Sequence, residues 1–449
     1  MADRLTELDT GFRRMHLSRF GQRFTQPSGI AELMEDLGRA LASGRDTLML
    51  GGGNPAHIPA LEALFRAELA KLSEAPERFA RAFGDYSPPQ GEGGFIEALA
   101  GLLRHEYGWD LGPENIALTS GSQLSFFMLF NLFAGEDGEG TRKKILLPLS
   151  PEYIGYTDLC AEPDGILARR PLIDLCESRI DLCASGIDPC QDRRFKYRVS
   201  FEDLAIGEDI GAVCLSRPTN PSGNVISDLD LKRLAALAQS HEVPLIVDGA
   251  YGPPFPNILF RDITPLWDDS MVLSLSLSKL GLPGVRTGIV IARPEIIAAV
   301  ARMNAILSLA PGGIGPAILC NLLGNGAIIR IAREIIQPYY AARLRDALGQ
   351  LSLALEGLPY RVHETEGAMF LWLWFPDLPI STRTLYARLK DRGVLVVPGE
   401  PFFSALPRDL GKPHWRHTEE CIRVHYAQPP RVVEQGFTIL GEELRRAYA

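Results

Sequence analysis

The stretch Ser274-Leu275-Ser276-Leu277-Ser278-Lys279-Leu280-Gly281-Leu282-Pro283-Gly284-Val285-Arg286-Thr287-Gly288 decides how this chain reads. The apolar run Met271 to Leu275 leads into it and predicts a buried strand. Small hydroxyl residues, a single lysine, a glycine-rich turn and an arginine follow. Desolvation beside an apolar strand end lowers an ammonium pKa, which makes the amine of Lys279 available as a nucleophile. Ser276 and Ser278 supply hydroxyls, and Arg286 supplies a permanently charged fork suited to a phosphate dianion. One amine, two hydroxyls and one arginine match the needs of a phosphorylated aldehyde. Pyridoxal phosphate, which its enzymes hold through a lysine, is such a compound. The same residues would equally make a surface turn with a solvated lysine, so the neighbouring segments must decide.

Upstream, Gly211 to Leu215 reads as a strand, followed by the loop Ser216 to Gly223 and a helix from Asp228 to His241 with Ser227 as N-cap. Pro244 to Val247 is the next strand, ending at Asp248-Gly249-Ala250-Tyr251. This alternation predicts parallel βαβ units with right-handed crossovers. Glu114 to Leu118 is a strand that runs through Thr119-Ser120-Gly121-Ser122-Gln123 into the apolar helix Leu124 to Phe133. Backbone amides and hydroxyls at such a helix start can bind phosphate, or Ser120 or Ser122 can simply cap the helix. Lys144 to Leu149 adds a strand ending in Ser150-Pro151-Glu152-Tyr153, and Gly288 to Ala292 adds another. Ile30 to Ala42 and Leu61 to Phe83 have helical spacing, the second leading to a proline- and glycine-rich loop that carries Tyr86.

From Pro294 the character changes. Helical segments Glu295 to Leu307, Gly315 to Leu323 and Ala327 to Glu356 follow one another, the last with Pro338 where a kink is expected. Short strands Ala368 to Trp374, Val394 to Val397 and Cys421 to His425 precede a closing helix from Val432. The expected architecture is α/β: a large domain, 61–326, with a mostly parallel sheet and helices on both faces. A smaller α+β domain would span 327–449, with 1–60 forming an N-terminal arm and part of the small domain.

Sites in open parallel sheets lie at the carboxyl ends of the strands. The polar signals fall there together: Ser120 to Gln123, Ser150 to Tyr153, Asn220, Asp248 with Tyr251, and Ser276 to Lys279. Pyridoxal phosphate works as an electron sink when its ring nitrogen is protonated, and Asp248 at the end of an apolar strand can hold that proton as an ion pair. Tyr251 and Asn220 can donate to a phenolic oxygen, and Tyr153 offers a ring for stacking.

Asn220-Pro221-Ser222-Gly223, Asp248-Gly249-Ala250-Tyr251, Ser276-Leu277-Ser278-Lys279 and Arg286 together resemble the fold-type-I pyridoxal-phosphate aminotransferases of class I and II. Gly51 to Ala56, Ser150 to Tyr156, Ser276 to Gly284 and Ala310 to Ala317 resemble the branch acting on valine and pyruvate. The resemblance covers nearly the whole chain. It implies that Lys279 carries the cofactor and moves the proton, and that Arg286, Ser276, Ser278 and the backbone of Ser122 and Gln123 hold the phosphate. It further implies Asp248 on the ring nitrogen, Tyr251 and Asn220 on the phenolic oxygen, and Tyr153 on the ring face. Arg423 matches the arginine that holds the substrate α-carboxylate, with Gly53 and Asn220 beside it. Tyr86 matches a tyrosine lent to a neighbouring subunit's phosphate, so a homodimer with shared sites is implied, as are non-trans peptide bonds before Pro151 and Pro221. The implied reaction is reversible: L-valine and pyruvate give 3-methyl-2-oxobutanoate and L-alanine. Rival readings are an aminotransferase of other small or aromatic amino acids and a carbon–sulfur lyase of the same fold. A third is an aminotransferase-like regulator, which would need a basic recognition helix that is not found before Gly51.

The bulk properties agree with a small-molecule enzyme. A chain of 449 residues suits two domains, and a net charge of −9 argues against a nucleic-acid partner. The first twenty residues carry charges and no apolar core of a signal peptide, and no run approaches the ~18 apolar residues of a membrane span. The seven cysteines are an odd number and four of them, Cys160, Cys214, Cys320 and Cys421, lie scattered in or near apolar segments, which indicates reduced, cytoplasmic usage. Three of them end copies of a seven-residue repeat: Ile173-Asp174-Leu175-Cys176, Ile180-Asp181-Leu182-Cys183 and Ile187-Asp188-Pro189-Cys190. Their spacing matches no usual zinc site, and Gly186 and Pro189 rule out a heptad seam, so no metal is expected. Arg170 to Arg194 reads as an expanded surface insertion with reactive thiols.

Overall fold

The computed structural model describes residues 16–26, 28–42, 47–175, 190–407 and 415–449. Its eight-stranded main sheet comprises β1 (Ile116–Thr119), β2 (Gly135–Glu136), β3 (Arg142–Leu147), β4 (Ile166–Ala168), β5 (Ile210–Ser216), β6 (Leu245–Asp248), β7 (Met271–Ser276) and β8 (Gly288–Ile291). The order is β1-β8-β7-β6-β5-β3-β2, with β4 also paired to β3. The central strands β1, β5, β6, β7 and β8 read as near-continuous apolar runs because both faces are buried. Ala117, Cys214, Ile246, Val272 and Val290 belong to a core on one face, shared with residues of helices Ser122–Phe133 and Pro294–Leu307. Their chain neighbours Leu118, Leu215, Val247 and Leu273 point to the opposite core.

Strand register aligns the site. In the parallel β7–β6–β5 group, Ser274 lies opposite Asp248 and Asp248 opposite Ser216. β8 runs antiparallel between β7 and β1 and places Gly288 opposite both Ser276 and Thr119. Gly288 permits a close approach, since a Cβ there would lie 2.6 Å from the Ser122 nitrogen. The carboxyl ends of β1, β5, β6 and β7 therefore share one edge.

A second, six-stranded sheet has the order Val397–Pro398, Cys421–His425, Phe370–Trp374, Arg361–His363, Arg194–Arg198, Leu172–Asp174. Its last two strands come from inside 61–326, so sheet membership crosses the division expected from sequence. Near the N-terminus, Leu48–Met49 pairs in parallel with Val394–Leu395.

Several local expectations are corrected. The single helix expected over Leu61 to Phe83 is two, Pro59–Ser73 and Pro76–Phe83, because Pro76 cannot continue a helix and instead starts one. Pro338 is accommodated by a π-helical turn, Ala332–Ile336, immediately before the α-helix Gln337–Ala354. The Gln337 amide closes the wider turn on the Ala332 carbonyl, and Pro338 falls in the first turn of the next helix, where its missing amide costs least. The bond before Pro151 is cis, as implied, but the bond before Pro221 is not; the cis bond of that loop is Arg217–Pro218. Most of the repeat lies outside the described residues. What is described is integrated rather than purely superficial: Ile173 pairs opposite Tyr197, and Cys190 is buried with its sulfur 3.7 Å from the Tyr360 hydroxyl.

Candidate active site

Lys279 emerges just past the end of β7, where Leu277 and Leu280 are fully buried on either side. Its Nζ donates to the Gly53 carbonyl at 2.7 Å, so the glycine run at 51–53 lies across the lysine. Burial, then the positive charge of Arg423, drives the Lys279 ammonium down to about 8 against the pull of Asp248. The strand end thus supplies a desolvated amine among other charges.

Asp248 ends β6 at 8% exposure. Its Oδ2 accepts the Tyr156 hydroxyl at 2.7 Å and its Oδ1 accepts the Ala250 amide at 2.9 Å. Burial pushes this carboxyl above its usual range, while the two hydrogen bonds and the charge of Lys279 draw it back. A cation placed against it would complete it. A second buried carboxyl, Glu152, is raised to about 8, chiefly by burial, with hydrogen bonds from Ser216 opposing and the charge of Asp248 adding to the rise. Tyr153 packs edge-on against Tyr156, with ring centroids 5.3 Å apart. Sequence reasoning missed Tyr156 and Glu152; both sit within the same Ser150 to Tyr156 motif, three residues and one residue from the tyrosine it singled out.

The expected phosphate group of residues also converges. Helix Ser122–Phe133 begins earlier than expected, with Gly121 as N-cap at φ +96 and no side-chain cap. Neither Ser120 nor Ser122 caps it. Leu124 and Ser125 bond back to the Gly121 carbonyl, which leaves the Ser122 and Gln123 amides at the positive end of the helix. Arg286, itself at φ +47, lies over this turn: a Cβ on Gly121 would fall 2.3 Å from its Nη2. Its Nη1 reaches the Ser278 hydroxyl at 3.4 Å, and the Ser276 hydroxyl accepts the Ser278 amide at 3.1 Å. Uncapped amides, two hydroxyls and a guanidinium fit a phosphate dianion.

Arg423 comes from the other sheet. It is 2% exposed, donating through Nη1 to Asn220 Oδ1 at 2.8 Å and through Nη2 to the Gly51 carbonyl at 2.7 Å. Phe370 and Phe402 flank it, at 4.2 and 5.4 Å from ring centroid to guanidinium carbon. Its Nε is buried without a hydrogen-bond partner, and burial lowers its pKa to about 10. A carboxylate would supply the missing anion. Asn220 accepts from Arg423 through its oxygen at 2.8 Å, and its amide nitrogen is the donor end of the same group.

Tyr251 joins the group: its ring centroid is 5.7 Å from Lys279 Nζ, and burial followed by the opposing charge of Arg423 governs its hydroxyl, which is raised. Tyr86 does not join within its own chain, standing 83% exposed. Among the described residues no group of three or more His, Cys, Asp or Glu could hold a metal ion. The arrangement can therefore hold a phosphate, pair a ring cation, present an amine and grip a carboxylate within one pocket.

The family model for aminotransferases of class I and II matches residues 48–435. The valine–pyruvate aminotransferase of Escherichia coli (strain K12) is 48% identical over 435 residues, covering 97% of this chain and 99% of that protein. A protein from Psychrobacter arcticum 273-4, solved by crystallography, has a TM-score of 0.90 at 44% identity, over 97% of this chain and 99% of its own. The crystal structure of valine–pyruvate aminotransferase from Salmonella typhimurium LT2 has a TM-score of 0.82 at 47% identity, over 94% of this chain and 99% of its own.

Proposed function

The chain belongs to the class I and II aminotransferases, and from that premise we propose that it moves an amino group reversibly between L-valine and pyruvate, giving 3-methyl-2-oxobutanoate and L-alanine, with pyridoxal 5′-phosphate as cofactor. The observation that carries this reading is the meeting of Lys279 and Arg423: Lys279 donates to Gly53 and Arg423 to Gly51 of one glycine run, and the charges of Arg423 and Asp248 both act on the Lys279 ammonium. The near full-length likeness to the valine–pyruvate aminotransferase of Escherichia coli supports the choice of substrates.

When bound, pyridoxal phosphate supplies a carbonyl that takes up the amino group and a ring that accepts the electrons freed at Cα. The chain does the rest. Arg286, the Ser276 and Ser278 hydroxyls and the Ser122 and Gln123 amides hold the phosphate. Asp248, oriented by Tyr156, keeps the proton on the ring nitrogen. Tyr153 covers the ring, and Tyr251 and the Asn220 amide donate to the phenolic oxygen. Arg423 orients the amino acid by its α-carboxylate, so that the Cα proton faces Lys279. Lys279 would take that proton at Nζ as general base and return one as general acid. The donor would leave as its 2-oxo acid, with water supplying the carbonyl oxygen, and a second 2-oxo acid would leave as the new amino acid by the reverse path.

The reading includes a homodimer in which Tyr86 reaches the neighbour's phosphate. The loop bearing Tyr86 is braced by Asn304, which donates to Pro89 and Leu118 carbonyls at 2.8 and 2.7 Å. Phe79 and Phe83 nearby in the chain are exposed and stacked at 4.4 Å. Large exposed apolar patches mark association surfaces.

The test is a panel of amino donors with pyruvate and the purified protein, following 2-oxo acid and alanine. Valine should give 3-methyl-2-oxobutanoate and alanine in equal amounts. Preference for aspartate, or turnover with no second oxo acid, would sink the reading.

A further inference from the structure

Glu152 is 3% exposed, directly before the tyrosine that covers the ring site. A buried carboxyl is costly unless its oxygens are bonded, and these are. Its Oε1 accepts the Ser216 amide at 2.9 Å, and its Oε2 accepts the Ser216 hydroxyl and, at 3.3 Å, the Tyr153 amide. Its own amide donates to the Phe402 carbonyl at 3.2 Å. Ser216 ends β5 opposite Asp248, and the next amide, of Arg217, donates to the Asp248 carbonyl at 2.9 Å. Phe402 in turn flanks the Arg423 guanidinium. One residue therefore joins the loop over the ring, the strand edge beside Asp248 and the wall behind Arg423.

We propose that Glu152 is a positioning residue: through side-chain hydrogen bonds to Ser216 and to the Tyr153 amide it sets Tyr153 against the cofactor ring. The inference rests on the reading of this pocket as a pyridoxal-phosphate site. A plain apolar residue could fill the space, but it would leave the Ser216 amide and hydroxyl unpaired in the interior. Glutamine is the informative substitute. Its carbonyl can accept the Ser216 amide, and its NH2 can donate to the Ser216 hydroxyl oxygen.

The test compares wild type, Glu152→Ala and Glu152→Gln by titration with pyridoxal phosphate, the visible circular dichroism of the bound cofactor, and KM for valine. Glu152→Ala, which removes the two bonds from Ser216 and the one from the Tyr153 amide, should weaken cofactor binding by about 10-fold. It should also shrink the dichroic band while KM for valine changes little, since the backbone bond from residue 152 to Phe402 remains. Glu152→Gln should retain most of the wild-type affinity and dichroism, since both Ser216 bonds survive loss of the charge and only the 3.3 Å contact from the Tyr153 amide is lost. If Glu152→Ala does not fold, Ser216→Ala keeps the glutamate, removes one of its bonds, and should still reduce the band. Wild-type affinity and dichroism in the alanine variant, or in Ser216→Ala where that stands in, would overturn the proposal. So would a glutamine variant as impaired as alanine. A wild-type protein that binds no pyridoxal phosphate would instead overturn the underlying reading.

Discussion

Lys279 and Arg423 face the same buried space from two sheets and are held there by different means. Lys279 follows β7, whose neighbours are set by strand register, so Asp248, Ser216 and Gly288 are aligned with it by backbone pairing. Arg423 stands on a strand of the other sheet, and its guanidinium is oriented by Asn220 and Gly51, which are 203 and 372 positions away in sequence. The lysine side is thus built into one sheet. The carboxylate side exists only where the two sheets and the glycine run meet. Chemistry that must not move is anchored by pairing, while recognition is assembled from pieces that separate if the domains shift.

The largest expected effect tests the lysine side. Lys279→Ala should abolish steady-state turnover while the protein still folds, and borohydride should label the wild-type peptide containing Lys279. Label on another lysine would break the comparison at its first term. Because the ammonium is lowered to about 8, the neutral amine, which is the nucleophile, increases with pH through that value. At pH 7 about a tenth of it should be neutral, against about one part in three thousand for an ordinary lysine. Cofactor capture by the free protein should therefore accelerate from pH 6 to 8 and level off above about 9. A rise still unbroken at pH 10 would mean that the pocket does not desolvate this amine.

Next comes the arginine side. Removing one partner of a desolvated charged pair typically costs ~2–5 kcal/mol, or roughly 30-fold to several thousandfold at 1.4 kcal/mol per decade. Arg423→Ala should lower kcat/KM for valine and for alanine by a common factor in that range while cofactor absorbance remains. Loss with only one donor would show that Arg423 reads the side chain rather than the shared carboxylate.

A smaller effect belongs to Tyr156, which stands behind Asp248. A hydrogen bond to a charged group contributes ~1.5–3 kcal/mol, so Tyr156→Phe should slow kcat by roughly 10- to 150-fold. KM for valine should change little, since the carboxylate grip is untouched. An equal rise in KM would mean that the two sides are not separable. The smallest effect is expected at the repeat. Deleting Ile180 to Gly186 should leave activity within about twofold, because loop-closure entropy changes slowly with length. Cys190, buried against Tyr360, should react with a thiol reagent only on unfolding; fast labelling in the folded protein would place that segment elsewhere.

Much of the cofactor side was legible in the sequence, because parallel strands buried on both faces read as apolar runs and their polar residues collect at one end. Lys279, Asp248, Ser276, Ser278 and Arg286 were found that way. Tyr156 and Glu152 were not, since a tyrosine and a glutamate beside a strand carry no pattern that distinguishes a buried partner from a surface cap. Likewise, nothing in Leu61 to Phe83 but Pro76 signalled two helices, and periodicity continues across such a break.

The sequence by itself determined the α/β class, the alternation of the main sheet and the lysine, aspartate and arginine that its strand ends present. Those features follow from local periodicity and from residue chemistry. Only the tertiary structure decided that Leu172–Asp174 and Arg194–Arg198 extend the second sheet, that Asn220 and Gly51 orient Arg423, and that Glu152 closes on Ser216. Each of these depends on hydrogen bonds between residues far apart in sequence, formed because burial leaves their polar groups no water to bond, and no local pattern encodes such a partner.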